Sequence, residues 1–114
     1  MAYTEKRVIG ATGGAVLTAS SADYYTVPTS TTSILKELVI CNTDTAARTF
    51  TVYITPTSGT APSAQYTIFN QVTIQPNETK IFGLTTVMPA NYTLKALASV
   101  TSVVSISASA IERT

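Results

Sequence analysis

A chain of 114 residues with 45% hydrophobic and 11% charged residues has the length of one domain and the composition of a packed core rather than a disordered tail. Seven Lys/Arg against six Asp/Glu leave a net charge of +1, which offers no basic stripe for nucleic acid, so no nucleic-acid partner is expected. Histidine is absent, and with it goes the commonest general base and the commonest transition-metal ligand; no catalytic residue, metal ligand or cofactor is expected.

Residues 1–22 are rich in Gly, Ala, Ser and Thr and read as an extended N-terminal arm that packs against something else, followed by one domain over residues 23–114. The arm is expected to be removable without unfolding the rest, and Tyr3, Lys6, Arg7, Val8 and Ile9 are its candidate assembly-interface residues. The run from Lys6-Arg7 to Ala15-Val16-Leu17-Thr18-Ala19 imitates a signal peptide. Gly10, Thr12, Gly13 and Gly14 interrupt it, however, leaving fewer consecutive apolar residues than the ~7–15 such a segment needs. No run approaches the ~18 apolar residues of a membrane helix, and no membrane partner is expected. Gly10-Ala11-Thr12-Gly13-Gly14 lacks the Lys of a phosphate-binding loop and reads as flexible chain.

Over the whole chain, 22 Thr and 11 Ser accompany many Val, Ile and Tyr, residues that suit a pleated, half-buried surface. Strands are predicted at 24–27, 34–42, 49–55, 66–74, 79–83, 91–99 and 103–111, with the five prolines as punctuation between them. Strict alternation places Phe50, Val52 and Ile54 on one face of their strand and Thr49, Thr51, Tyr53 and Thr55 on the other. Val104, Ile106, Ala108 and Ala110 alternate likewise with Ser105, Ser107 and Ser109. The stretch Leu38-Val39-Ile40 is apolar on both faces, which predicts a central strand covered on both sides, one cover being a neighbouring subunit. Asn42 to Arg48 and Pro76-Asn77-Glu78 are turn chemistry between antiparallel strands, and Pro56 to Ala64 is a longer loop and the first choice for recognition. Together these features predict an all-β fold: a single antiparallel sandwich of about seven to eight strands.

Chemistry-bearing groups are sparse. Cys41 stands alone beside Leu38-Val39-Ile40 and reads as a buried, inert thiol. The six carboxylates, Glu5, Asp23, Glu37, Asp44, Glu78 and Glu112, are scattered one per region, as solvated surface groups are. The six tyrosines could form an aromatic platform for sugars, so a carbohydrate-binding module, with Tyr53, Tyr66 and the Pro56 to Ala64 loop as its surface, is a second reading in which a glycan is the partner. A soluble monomer keeps roughly a quarter or more of its surface charged. This chain is too poor in charge for that and suits a repeated assembly in which neighbours cover its edges.

Tyr25-Thr26-Val27-Pro28, Leu35-Lys36-Glu37-Leu38-Val39-Ile40-Cys41-Asn42-Thr43 and Ala47-Arg48-Thr49-Phe50-Thr51-Val52-Tyr53 resemble a group of small virion structural proteins of tailed bacteriophages. So do Val72-Thr73-Ile74 to Asn77-Glu78-Thr79, Leu94-Lys95-Ala96-Leu97-Ala98, and Val104-Ser105-Ile106-Ser107 with the closing Ile111-Glu112. The resemblance covers about residues 20–112, with a departure at Pro89-Ala90-Asn91, where that group often has Ala-Gly-Asp. It implies a non-enzymatic, jelly-roll-like sandwich located on a virus particle. The protein would form a homo-oligomer, a trimer among the forms, and bind a major capsid or tail protein. A capsid decoration or cement protein over capsid-protein junctions is the first expectation, and a tail or baseplate component meeting the host surface is the second.

Overall fold

The computed structural model describes residues 2–9 and 15–114. Nine strands alternate with turns: β1 (Tyr3–Ile9), β2 (Ala15–Val16), β3 (Ala22–Thr26), β4 (Thr32–Asn42), β5 (Arg48–Thr55), β6 (Thr67–Ile74), β7 (Thr79–Met88), β8 (Thr93–Ala98) and β9 (Val104–Arg113). One short 3-10 turn, Ala64–Tyr66, precedes β6, and no helix among the described residues is long and apolar enough to cross a membrane.

Two antiparallel sheets face each other, ordered β1-β9-β4-β7, with β2 also on β9, and β3-β8-β5-β6. Leaving β2 aside, the order in which eight strands alternate between the two sheets is that of a jelly roll. The predicted sandwich is therefore the observed one, and all seven predicted strands are present. Thr79–Gly83 is longer than expected, because β7 continues through Gly83 to Met88. Strand β4 lies between β9 and β7, the central place expected of it.

The core sits between the sheets. Phe50 and Val52 from β5, Leu94 and Ala96 from β8, Leu35, Leu38 and Ile40 from β4, and Val104, Ile106, Ala108 and Ala110 from β9 are all buried, as strand alternation requires. Phe50, Phe69 and Phe82 join the two sheets, with ring centroids 4.5 to 6.1 Å apart and tilted planes. Fully buried Asn42 closes one end: its amide donates to the carbonyls of Ala46, Ile74 and Gln75 at 2.9, 3.1 and 3.3 Å, and its Oδ1 accepts from the Asp44 N–H at 3.0 Å. One side chain thus fixes the β4–β5 connection against the end of β6. In the β6–β7 turn the Glu78 N–H donates to the Gln75 carbonyl, with Asn77 at φ 60° after Pro76, a conformation that Asn tolerates. Asn91 at φ 72° serves the β7–β8 turn in the same way.

The N-terminal segment is extended, as expected, but it is not loose. Strand β1 pairs with β9 from Tyr3 opposite Arg113 to Ile9 opposite Ala108, and β2 continues along the same edge, with Ala15 opposite Ile106. Leu17 is fully buried and its N–H donates to the Val104 carbonyl at 2.7 Å. Packing therefore does not break at residue 22: the core takes two of its side chains, Ile9 and Leu17, from the expected arm. The reading of Gly10 to Gly14 as flexible chain lies outside the described residues.

Candidate functional site

Alternation along β1 divides the five candidate interface residues. Opposite neighbours in a sheet share a face. Tyr3 and Arg7, opposite Arg113 and Ser109, therefore stand on the outer face of their sheet with Glu5, while Lys6, opposite Ala110, leans inward. A bulge at Val8 shifts the phase by one residue, so that Ile9 enters the core at 3% exposure and Val8 packs half-buried against it. The five do not form one patch: Ile9 is committed to the core, and Tyr3 and Arg7 face outward.

Lys6 reaches Glu112, a carboxylate that β9 turns inward and that is 7% exposed. Glu112 Oε1 accepts from Lys6 Nζ at 3.2 Å and Oε2 from the Tyr25 hydroxyl at 2.5 Å, joining β9, β1 and, from the opposite sheet, β3. Burial first, and then the bond to Glu112, raise the ionisation of the Tyr25 hydroxyl well above the ordinary tyrosine range. Ser33, opposite Glu112 on β4, is buried with its hydroxyl unpartnered. This cluster holds the two sheets together at one end, with Glu112 buried and the Lys6 side chain half exposed at its rim.

The outer face of the β3-β8-β5-β6 sheet is covered by the chain itself over much of β5 and β8, while Ile68, Asn70 and Thr73 of β6 stay exposed. Thr51, Thr55, Thr93 and Lys95 point away from the core yet are buried. Lys95 Nζ donates to Asp23 Oδ1 at 2.6 Å and to the Ser58 carbonyl at 2.8 Å, and the Thr55 hydroxyl donates to the Thr57 carbonyl at 2.8 Å. The Pro56 to Ala64 loop is accordingly tied down at its start rather than free. The tyrosines are dispersed: Tyr24, Tyr25 and Tyr92 pack against the core, Tyr3 stands on the other sheet, and only Tyr53 and Tyr66 remain near this loop.

The outer face of the β1-β9-β4-β7 sheet is open and carries exposed apolar side chains beside the serines of β9 and the charges Glu5, Arg7 and Glu37. Register aligns Ile81 with Val39, and Val87 with Ile34 and Ile111. Of the five exposed large apolar side chains among the described residues, Tyr3, Val16, Ile81 and Val87 belong to this face; only Ile68 lies elsewhere. Ile81 is 65% and Val87 58% exposed. Tyr3, Ile34, Val87, Ile111, Thr32 and Arg113 enclose a hollow of about 250 Å³ on it. Strand β7 forms its free edge with no proline, and its one charge, Lys80, turns away toward Glu78 at 3.8 Å. Cys41, half-buried, points to this face between Thr79 and Ser105, not into the core as the sequence suggests, because the buried positions around it are Ile40 and Asn42. The neighbours of Cys41 were visible in sequence; the side of the sheet they cover was not. Among the described residues no three His, Cys, Asp or Glu side chains stand together as metal ligands would.

No protein-family model matches this chain, and no curated protein matches it. Among solved structures, a chain in the structure of infectious bursal disease virus, Gx strain, is similar at 17% identity and a TM-score of 0.45 over 96% of this chain. A chain of the Gt strain of the same virus is similar at 17% identity and a TM-score of 0.39 over 97% of this chain. The chain spans 30% of the length of each of those viral chains.

Proposed function

We propose that this protein is a non-enzymatic structural subunit of a tailed-phage particle, most simply a capsid decoration protein seated over junctions between capsid proteins. The observation that carries the reading is a sheet face that leaves Ile81 and Val87 exposed beside the free edge strand β7, on a small jelly roll whose other sheet buries Thr51, Thr55, Thr93 and Lys95 of its own outer face. Jelly rolls recur in viral shells and in lectins, so the fold alone does not decide between the two. The sequence resemblance over residues 20–112 favours the shell, and the dispersal of the tyrosines disfavours the sugar platform. Such a subunit would hold on through many modest contacts and main-chain pairing at a sheet edge rather than through a deep pocket. Tyr3 and Arg7, outward on β1, are the members of the N-terminal segment we assign to assembly contacts between subunits.

The test is quantitative mass spectrometry of purified particles, giving copies of this chain per copy of the major shell protein. Hundreds of copies per particle are expected. A few to a few dozen would move the protein to the tail or baseplate, and absence would overturn the virion reading.

A further inference from the structure

We infer that the outer face of the β1-β9-β4-β7 sheet is a self-contact on which a second copy of this chain packs the same face about a two-fold axis. The inference names a surface for the homo-oligomer that the sequence resemblance implies, and rests on the proposed function for its setting. Three features select a second copy as the occupant.

The first is charge. The outward residues of β7, Thr79, Ile81, Gly83, Thr85 and Val87, carry none. The charges on the face come in both signs, Glu5 with Arg7 on β1, Lys36 with Glu37 at the bulge of β4 in mid-face, and Arg113 at the end of β9. A two-fold copy can set each sign against its opposite, whereas a strongly acidic or basic partner would need a single-sign border.

The second is size. Four strands about 4.8 Å apart and about ten residues long at 3.3 Å per residue present roughly 600 Å². Two copies then bury about 1,200 Å², the lower bound for a specific, stable pair.

The third is Gly83. It sits mid-strand at the register shift between β4 and β7, with no left-handed φ to require a glycine, and a Cβ built there meets nothing within 4 Å. An interior strand glycine with open space above it suits close approach by another backbone.

The experiment uses the full chain in sedimentation equilibrium over a wide concentration range, together with alkylation of Cys41, which lies on the proposed contact. The expected result is a dimer whose Cys41 is protected. Gly83→Lys should give a monomer with unchanged circular dichroism and rapid Cys41 alkylation, because its added side chain has room in the monomer. Ile81→Lys should do the same from a different position. A monomeric wild type, a dimer that survives both substitutions, or a cyclic trimer, which joins two unlike surfaces, would overturn the proposal. A monomer that is abundant in particles overturns this contact alone, and a dimer absent from particles overturns the virion reading alone.

Discussion

The two sheets of this sandwich have equivalent inner faces and opposite outer ones. Both inner faces alternate apolar residues into one core. Outside, β5 and β8 present Thr51, Thr55, Thr93 and Lys95, all buried, with Thr55 and Lys95 bonded to the start of the Pro56 to Ala64 loop, whereas β7 presents Ile81 and Val87 exposed, beside half-buried Ile34 and Val39 of β4. Buried polar side chains on one outer face and exposed apolar ones on the other depart, at these positions, from the usual arrangement of an antiparallel sheet, hydrophobic inside and polar outside. The contrast separates a surface finished within the monomer from one that is left for another molecule.

Four substitutions probe that contrast, beginning with the largest effect. Leu17→Ala should destabilise the monomer by about 3 kcal/mol in denaturant unfolding, the cost of truncating a fully buried leucine, and a negligible loss would show that the N-terminal segment is an appendage after all. Lys95→Ala should cost about 2 kcal/mol and speed proteolysis within residues 56–64, since the Ser58 carbonyl and Asp23 lose the ammonium between them. Tyr25→Phe should lower stability near neutral pH by about 1 kcal/mol through the lost bond to Glu112. The folded hydroxyl ionises above the unfolded value of about 10, so its contribution is intact below that pH and is lost as pH rises through the folded value. The gap between wild type and Tyr25→Phe should therefore narrow above about pH 10, and a gap independent of pH would show that Tyr25 is not held neutral. Ile81→Lys, on the open face, should shift monomer stability by no more than about 0.5 kcal/mol; a large loss would place Ile81 in the fold rather than on a contact surface.

Local pattern made the strands legible. Phe50-Thr51-Val52 and Ser105-Ile106-Ser107 alternate cleanly, and Pro76-Asn77 sets its turn by backbone preference alone, so these elements follow from neighbouring residues. Tyr3 to Ile9 did not announce a strand, because its outward positions carry Tyr, Glu and Arg, its inward ones include Lys6, and the bulge at Val8 breaks the period. Strand β1 exists because β9 offers it a partner 100 residues away in sequence, with Lys6 drawn to Glu112 across a separation of 106. The covering of Thr55 and Lys95 and the openness of Ile81 and Val87 were illegible for the same reason. Alternation tells which residues share a face, and only the tertiary path of the Pro56 to Ala64 loop tells which outer face receives a cover.

The place of β9 bears on how the chain can be made. It is the last strand in order, yet it stands second in its sheet, with β1 and β2 along one side and β4 along the other. While synthesis has yet to reach Val104, the β3-β8-β5-β6 sheet has all its strands, but β1 and β2 have no neighbour to bond and β4 has only β7. One half of the molecule can thus assemble during translation, and the half carrying the open face comes together only once β9 has emerged, through pairings of high contact order that are intrinsically slow to form.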